Sequence, residues 1–313
     1  MPLNIYYLGA FFLTFFLIID IIKLKFGDIM EIFIGKKSGF CYGVKRAYDG
    51  ALENVKKGKI YCLGEIVHNS FVIHDLESKG VTFIDDINEC NLKNKKLLLR
   101  AHGVAKEVYE ECEKLGAEVL DYTCPNVKKI HDIVNEYADN GHFVILCGSK
   151  THPENIGTIS FARKNSFILE SENDIDCLLK VLENSNLKKV LLISQTTFSV
   201  EKFEKIKNVL SEKLENYELV IKNTICNATK LNQDETNELS KVVDYMIVVG
   251  GKNSSNTLKL YDISKKNLEN TILVQSYKDI DFNLVKKYEK IGIVYGASTP
   301  NELIDEIVEK LQD

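Results

Sequence analysis

Short apolar runs alternate with longer amphipathic stretches from residue 30 to the end of the chain. The short runs are rich in Ile, Val, Leu and Phe, as in buried strands, and the longer ones repeat apolar positions with helical spacing. We predict strands at Glu31–Gly35, Ile60–Leu63, Val81–Ile84, Lys96–Arg100, Glu118–Tyr122, Phe143–Cys147, Ser166–Leu169, Lys189–Ser194, Glu218–Lys222, Tyr245–Val249, Thr271–Val274 and Ile291–Tyr295. Between most of these strands we predict helices, for example at Gly43–Lys57, Lys106–Leu115, Val127–Asn140, Val200–Leu214 and Pro300–Gln312. This alternation indicates an α/β fold with mostly parallel sheets.

A chain of 313 residues allows two domains, or three small ones, at roughly 150 residues per domain. About a dozen strands are too many for one small domain, and no Pro-, Gly- or Ser-rich linker marks a boundary. Motif positions favour three α/β domains, at residues 30–124, 125–225 and 226–313.

Residues 1–29 differ from the rest of the chain. The apolar run at residues 5–19 is short for a membrane span of roughly 20 residues, and no Lys or Arg precedes it as in a signal peptide. A well-defined strand pattern begins at Met30. We therefore expect the functional chain to start there and residues 1–29 to be an upstream read-through. The alternative is a membrane anchor with Lys23 and Lys25 on the cytoplasmic side. Both interpretations place the chemistry in the cytoplasm.

The charge balance excludes one class of partner. The chain has 40 Lys and Arg against 45 Asp and Glu, a net charge of −5, and lacks the basic footprint of a nucleic-acid-binding protein. Only Arg46, Arg100 and Arg163 are arginines. An anion site must therefore rely largely on Lys, neutral donors or backbone N–H groups.

The eight cysteines are scattered and form no Cys-x-x-Cys pair. In a large chain without secretory features we expect free or metal-bound thiols in a reducing compartment. Cys41, Cys124 and Cys226 each lie between a predicted strand and a predicted helix, 83 and 102 residues apart. A helix N-terminus favours a thiolate and lowers its pKa, and three thiolates can hold zinc or an iron–sulfur cluster. The alternative is that all eight are small buried hydrophobic residues.

Three histidines also follow strands, where the sites of open α/β sheets form. His68, His102 and His152 lie in these loops beside small residues and can donate hydrogen bonds to an anion such as phosphate. Glu154 follows His152 by two residues. It can deliver protons in an active site, or it can be a helix N-terminal acid stabilised by the dipole.

Small polar residues after the later strands add further donors. Ser254, Ser255 and Asn256 lie in the segment Gly-Lys-Asn-Ser-Ser-Asn, and Ser298 follows the last strand. The segment lacks the spacing of a P-loop, and a turn with a helix cap explains it about equally well. No GxGxxG fingerprint supports direct dinucleotide binding.

Taken together, nine motifs in order resemble the 4-hydroxy-3-methylbut-2-enyl diphosphate reductase family, iron–sulfur enzymes that end the non-mevalonate isoprenoid pathway. The motifs are GFCYGVKRA, GEIVHN, RAHGV, DYTCP, THPE, SQTT, TICNAT, KNSSN and GAS. The resemblance covers Met30 to the C-terminus. It implies three α/β domains around a pseudo-threefold axis, with one 4Fe–4S cluster at the centre and one iron open to the substrate.

The resemblance also implies a role for each motif residue. The implied cluster ligands are Cys41, Cys124 and Cys226. The implied substrate contacts are His68, His102, His152, Thr196, Ser254, Ser255, Asn256 and Ser298. The implied proton donors are Glu154 and Thr196. The departures from the family pattern are small: Tyr42 for Phe, Ser194 for Thr, and Asn232 for the Arg common before Gln233, which can alter helix packing or charge near the third cysteine.

The activity implied is reductive dehydroxylation of the substrate to isopentenyl and dimethylallyl diphosphate. The implied electron donor is a ferredoxin or flavodoxin, and the implied oligomeric state is a monomer or dimer. The cysteine spacing alone leaves two alternatives open, a three-Cys zinc hydrolase and an iron–sulfur sensor without enzymatic activity.

Overall fold

A computed structural model of the chain describes residues 21–26 and 30–312. The strands are β1 (Ile21–Phe26), β2 (Met30–Gly35), β3 (Ile60–Leu63), β4 (Val81–Ile84), β5 (Lys96–Leu99), β6 (Glu118–Asp121), β7 (His142–Cys147), β8 (Ser166–Leu169), β9 (Lys189–Ser194), β10 (Glu218–Ile221), β11 (Tyr245–Val249), β12 (Thr271–Val274) and β13 (Lys290–Tyr295). The helices are α1 (Tyr42–Val55), α2 (Ser70–Ser78), α3 (Lys106–Leu115), α4 (Pro125–Asp139), α5 (Pro153–Ser160), α6 (Ile175–Ser185), α7 (Val200–Lys213), α8 (Asn227–Leu239), α9 (Ser255–Asn267), α10 (Phe282–Val285) and α11 (Asn301–Gln312). The predicted α/β class is confirmed.

Residues 41–229 form one compact unit. It contains two four-stranded sheets, with strand orders β4-β3-β5-β6 and β10-β9-β7-β8, and every neighbouring pair is parallel. All six residues of β7 are buried, as expected for a central parallel strand that has helices on both faces. Because parallel strands end at one edge of a sheet, the loops after β3 and β5 are brought together, as are those after β7 and β9.

The other compact unit joins the segment up to residue 40 with residues from 230 onward. Its sheet has the order β1-β2-β13-β11-β12 and is parallel except for the β1–β2 pair. Strand β2, which the sequence pattern grouped with the first domain, pairs with β13 from Glu31↔Lys290 to Ile34↔Ile293. The three domain boundaries and the pseudo-threefold arrangement stay predictions.

Strand β1 was not predicted, because we assigned residues 1–29 to an extension. Residues 21–26 pair with β2, and the Lys23 ammonium lies 2.7 Å from the Glu31 carboxylate. The apolar run at residues 5–19 lies outside the described residues. Within the described ranges, no helix combines the length and the apolar character needed to cross a bilayer.

Candidate functional site

Three histidine rings form a cluster at the strand ends of the 41–229 unit. His68 lies beyond β3, His102 lies beyond β5, and His152 is the N-cap residue of α5. The His68 and His102 rings stack with centroids 4.7 Å apart, and the His152 ring stands edge-on at 5.6 Å and 5.3 Å from them. The structure therefore gathers residues that were predicted separately.

The hydrogen bonds of these rings decide what the cluster can bind. His152 Nδ1 accepts from the backbone N–H of Glu154 at 3.2 Å, so the neutral ring carries its proton on Nε2 and presents a donor. His68 Nδ1 lies 3.0 Å from a Glu65 carboxylate oxygen. Although ligand atoms of the three rings lie within 4.8 Å of one another, the His152 tautomer favours an anion over a metal ion.

Burial keeps two of the rings neutral. It lowers the pKa of His152 to about 4, with further lowering by His68 and Arg100, and it lowers the pKa of His102 well below the ordinary value. A neutral imidazole still donates one hydrogen bond. The cluster can therefore bind an anion with hydrogen bonds from these two residues while the fixed charge comes from elsewhere.

Arg100 supplies a fixed charge close to this cluster, although we assigned it no role from the sequence. Its guanidinium packs over Gly64, and its Nε is buried without a partner among the described residues. Its positive charge lowers the pKa of both His102 and His152. The sequence contains a signal for this placement of Arg100, since it is one of three arginines and lies two residues before His102.

Glu154 lies next to Thr196 inside the same unit. The Thr196 backbone N–H donates to one carboxylate oxygen at 2.7 Å, and the Thr196 hydroxyl donates to the other at 2.6 Å. Burial raises the pKa of Glu154, and the two Thr196 hydrogen bonds only partly offset this. A raised pKa means that the carboxyl group keeps its proton to higher pH than an exposed one, which suits a proton donor.

The residues that follow Glu154 and precede Thr196 form a hydrogen-bond network of their own, for which no sequence pattern provides a signal. Asn155 Nδ2 donates to Gln195 Oε1 at 2.9 Å and to the Ser149 carbonyl at 2.8 Å. A Cβ on Gly148 would lie 2.4 Å from Asn155 Nδ2, so a glycine is needed for this close approach. The network ties the start of α5 to the end of β9.

The three predicted cysteine ligands lie together in the 41–229 unit. Cys41 and Cys124 are the N-cap residues of α1 and α4, and Cys226 directly precedes α8. Asn126 Nδ2 lies 3.2 Å from Cys226 Sγ. A Cβ on Gly43 would lie 2.6 Å from Cys124 Sγ, so the second thiol packs on the first turn of α1.

Backbone hydrogen bonds connect two of these cysteines to the rest of the site. The Cys124 N–H donates to the Ala101 carbonyl at 3.0 Å, next to His102. The Cys226 N–H donates to the carbonyl of Thr196 at 2.9 Å. Cys124 and Cys226 are therefore connected through the backbone to the histidine cluster and to the Glu154–Thr196 pair.

The expected lowering of the thiol pKa values is wrong for two of the three cysteines. Burial raises the pKa of Cys41 and of Cys124, and the neighbouring thiols raise it further. Backbone N–H groups of Gly43 and Val44 lower the pKa of Cys41, as expected at a helix N-terminus, but by less. Three thiolates this close repel each other unless a cation lies between them, which fits a metal centre.

The other five cysteines take no part in this cluster. Cys62, Cys112 and Cys147 are buried, Cys90 is half-buried and Cys177 is exposed. All eight thiols are free.

The polar residues predicted to hold the diphosphate lie in the other compact unit. Ser254, Asn256 and Ser298 are buried, and Ser254 is the N-cap residue of α9, which begins at Ser255. Both polar atoms of the Asn256 side-chain amide are buried without a partner among the described residues. A buried amide of this kind is costly unless a polar ligand satisfies it.

The departure at Asn232 has a structural consequence. Its side chain is buried, accepts from the Ser38 hydroxyl at 3.1 Å and donates to the Tyr295 carbonyl at 3.2 Å. The Ser38 hydroxyl in turn accepts from the Tyr295 N–H at 3.1 Å. Asn232 therefore fixes the loop that follows β2.

The site contains three neighbouring thiols, a buried carboxyl group and a histidine cluster on an α/β scaffold. This combination defines a metal-dependent enzyme site. The chain belongs to the LytB protein family, whose model matches residues 32–312. This confirms the family predicted from the nine motifs.

Within this family, the chain is similar to particular reductases. The chain is 43% identical over 287 residues to the 4-hydroxy-3-methylbut-2-enyl diphosphate reductase of Caldanaerobacter subterraneus subsp. tengcongensis, covering 90% of this chain and 97% of the relative. It is 39% identical over 286 residues to the reductase of the same name from Clostridioides difficile, covering 91% of this chain and 100% of the relative.

Two solved structures share the fold. The E-1-hydroxy-2-methyl-but-2-enyl-4-diphosphate reductase of Plasmodium falciparum superposes with a TM-score of 0.83 at 32% identity, covering 91% of this chain and 88% of that one. A structure of (E)-4-hydroxy-3-methyl-but-2-enyl diphosphate reductase, described as the terminal enzyme of the non-mevalonate pathway, gives a TM-score of 0.65 at 36% identity, covering 90% and 98%.

Proposed function

We propose that this chain reduces 4-hydroxy-3-methylbut-2-enyl diphosphate to isopentenyl and dimethylallyl diphosphate. The reaction breaks one C–O bond, forms one C–H bond and releases water, so each turnover takes up two electrons and two protons. The observation that carries this proposal is the connection of the three thiols to the proton-donating pair. The Cys226 N–H donates to the same residue, Thr196, whose hydroxyl donates to Glu154.

The donor set fits an iron–sulfur cluster. Cys41, Cys124 and Cys226 offer three soft ligands, which suits a 4Fe–4S cluster with one iron left open. When bound, such a cluster supplies electrons singly and acts as a Lewis acid toward the substrate hydroxyl. The mutual repulsion of the three sulfurs and the absence of a disulfide between them support this assignment.

Glu154 is the proposed proton donor, and Thr196 is its proposed relay. Burial raises the pKa of Glu154 and keeps the carboxyl protonated at higher pH than usual. Thr196 donates hydrogen bonds to both carboxylate oxygens of Glu154. It can thereby orient the acidic proton toward a hydroxyl group that leaves as water. General acid catalysis of this kind typically contributes roughly 10²–10⁴ in rate.

The proposed substrate contacts of the histidine cluster come from its donors. His152 presents Nε2–H, and His68 and His102 stack beside it. We assign Ser254, Ser255, Asn256 and Ser298 to diphosphate binding on the family resemblance, with the partnerless Asn256 amide in support. Holding the diphosphate through many donors orients the carbon skeleton for reaction.

The proposed electron donor is a ferredoxin or flavodoxin in the cytoplasm, acting on a monomer or dimer. Anaerobic turnover by the full chain, with reduced viologen as electron source, tests the activity. We expect dye oxidation and formation of both five-carbon diphosphates. Iron-loaded protein that oxidises no dye in the presence of substrate would contradict the proposed reaction. Zinc without acid-labile sulfide in active protein would indicate a hydrolase instead.

A further inference from the structure

The loop that leads to Cys41 has no regular secondary structure. Strand β2 ends at Gly35 and α1 begins at Tyr42, so residues 36–40 belong to neither element. Backbone N–H groups in a loop of this kind need partners from elsewhere when they are removed from water. The conformation of the loop therefore depends on side chains from other parts of the chain.

Glu235 of α8 binds the first two residues of this loop. One carboxylate oxygen accepts from the Lys36 N–H and the other accepts from the Lys37 N–H, each at 3.0 Å, although 199 residues separate Glu235 from Lys36. Only 6% of the Glu235 surface is exposed. A buried carboxylate is costly unless it is hydrogen-bonded, and N–H groups bind a carboxylate more strongly than a neutral acceptor. The carboxylate and the loop therefore stabilise each other in one arrangement.

The end of β2 is shaped to admit this carboxylate. A Cβ on Gly35 would lie 2.5 Å from Glu235 Oε2. A larger residue at this position would push the carboxylate away from the Lys36 and Lys37 N–H groups. The glycine therefore allows the close approach on which both hydrogen bonds depend.

The next two residues of the loop are also fixed. The Ser38 hydroxyl donates to Asn232 at 3.1 Å and accepts from the Tyr295 N–H at 3.1 Å. Gly39 has a φ of +96°, which favours glycine, and a Cβ there would lie 2.9 Å from the Tyr295 ring. Every residue from 36 to 39 is therefore held in place, and one residue separates this segment from the first thiol.

Cys41 is held on its other side by α1. The Lys45 N–H donates to the Cys41 carbonyl at 2.9 Å, which fixes the backbone that follows the thiol. The backbone that precedes the thiol depends on the segment 36–39. Both sides must be fixed if Cys41 is to be ready for a metal before the metal arrives.

We propose that Glu235 is a positioning residue for the first ligand of the three-thiol centre, because its carboxylate fixes the backbone that presents Cys41. The proposal rests on the proposed iron–sulfur function and adds a residue that lies in none of the nine motifs. A ligand that is already in place loses less conformational freedom on binding, and partners that orient metal ligands typically change metal affinity by roughly 10–100-fold. Loss of Glu235 should therefore weaken metal binding at the thiols.

A carboxylate in the same sheet provides a matched control. Asp279 accepts from the N–H groups of Gln275 and Ser276 at 2.8 Å and 3.0 Å, and these are the first two residues after β12 ends at Val274. No cysteine follows that loop in the chain. Asp279→Ala therefore removes the same kind of loop contact without affecting a segment that leads to a thiol.

The test compares the full-length wild type with Glu235→Ala, Glu235→Gln and Asp279→Ala, each reconstituted anaerobically with iron and sulfide. Iron content and the rate of iron transfer to a chelator are measured on the reconstituted proteins. Cobalt(II) is titrated into the iron-free chains and followed by thiolate–cobalt absorption, because soft thiolates bind this metal as well. The melting temperature of each iron-free chain shows how far the substitution disturbs the fold.

We expect Glu235→Ala to release iron about tenfold faster than the wild type and to bind cobalt about tenfold more weakly. Glu235→Gln should lie between them, because its amide oxygen can accept from only one of the two N–H groups. Since glutamine fills the same space, this variant should keep the wild-type melting temperature, and it decides the proposal if Glu235→Ala does not fold. Asp279→Ala should match the wild type in both metal measurements.

Wild-type iron release and cobalt affinity in the folded Glu235 variants would overturn the positioning role. Equal losses of metal binding in Asp279→Ala would overturn it as well, since they would show a general effect of loosening a loop. A wild-type chain that binds cobalt through its thiols but assembles no iron–sulfur cluster would contradict the proposed function instead. The cobalt affinities of the variants would still decide the role of Glu235.

Discussion

Glu154 and Thr196 are joined by two hydrogen bonds, of 2.7 Å and 2.6 Å, although 42 residues separate them in the chain. The carboxyl group is buried, and both of its oxygens are fixed by one residue. This geometry positions a carboxyl group of raised pKa beside the thiol centre.

Glu154→Gln should nearly abolish turnover while the iron–sulfur cluster is retained. The amide fills the same space and can still accept from the Thr196 N–H, but it has no acidic proton to deliver. We expect a rate loss of roughly 10²–10⁴, measured by viologen oxidation with iron content checked in parallel. The exposed Glu53→Gln variant is the control, and an unchanged rate in Glu154→Gln would remove the carboxyl group from the mechanism.

Thr196→Val should shift the pH dependence of turnover as well as its rate. The Thr196 hydroxyl lowers the pKa of Glu154, against the raising effect of burial. Without the Thr196 hydroxyl the pKa of Glu154 rises further, so the carboxyl group keeps its proton to higher pH. The loss of turnover at basic pH should therefore begin at a higher pH. A pH–rate profile that keeps its basic limb in place would show that Glu154 does not determine that limb.

Cys124→Ser should yield protein without the proposed 4Fe–4S cluster. Serine keeps the size of the side chain but replaces the soft sulfur ligand with a hydroxyl that binds iron poorly. Absorption spectra and iron analysis measure the loss, and the exposed Cys177→Ser variant should keep full iron content. A normal spectrum in the Cys124→Ser protein would contradict its role as a ligand.

His152→Asn should weaken substrate binding with little effect on folding. Asparagine is a good N-cap residue and can replace Nδ1 as the acceptor for the Glu154 N–H, but it lacks the Nε2–H donor. We expect KM to rise about tenfold, as for one lost hydrogen bond to a charged group, while the melting temperature changes little. The exposed His74→Asn variant should match the wild type in both measurements.

His131 should make the folded protein sensitive to acid. It is buried, its ring stacks on Phe161 at 4.4 Å, and burial lowers its pKa to about 4. Below the ordinary histidine pKa of about 6.5, the unfolded chain takes up a proton that the folded chain refuses, so stability falls as pH drops from about 6.5 toward 4. The full effect is about 3 kcal/mol.

The measurement is calorimetric unfolding of wild type and His131→Gln between pH 7.5 and pH 5. Glutamine does not titrate, so its melting temperature should fall less steeply with acid than that of the wild type. Parallel slopes for the two proteins would show that His131 is not responsible for the acid sensitivity.

All twelve predicted strands are present, to within a residue or two at their ends. Buried parallel strands such as β7 and β11 are continuous apolar runs, and the helices between them repeat apolar positions with helical spacing, so both signals are local. β1 was missed because its pattern adjoins a longer apolar segment. The local pattern also could not predict which strands pair with each other, since β2 pairs with β13 across more than 250 residues.

The sequence by itself determined the α/β class, the three cysteines at helix starts and the nine motifs that mark the family, because each depends on residues close together in the chain. Only the tertiary structure decided the thiol pKa values of Cys41 and Cys124, because burial raises them by more than the N–H groups at the helix N-terminus lower them. It also decided the His152 tautomer, the position of Arg100 near the histidines, and the bonding of Glu154 to Thr196. These properties arise from contacts between distant segments, and such contacts leave no periodic signal in the sequence.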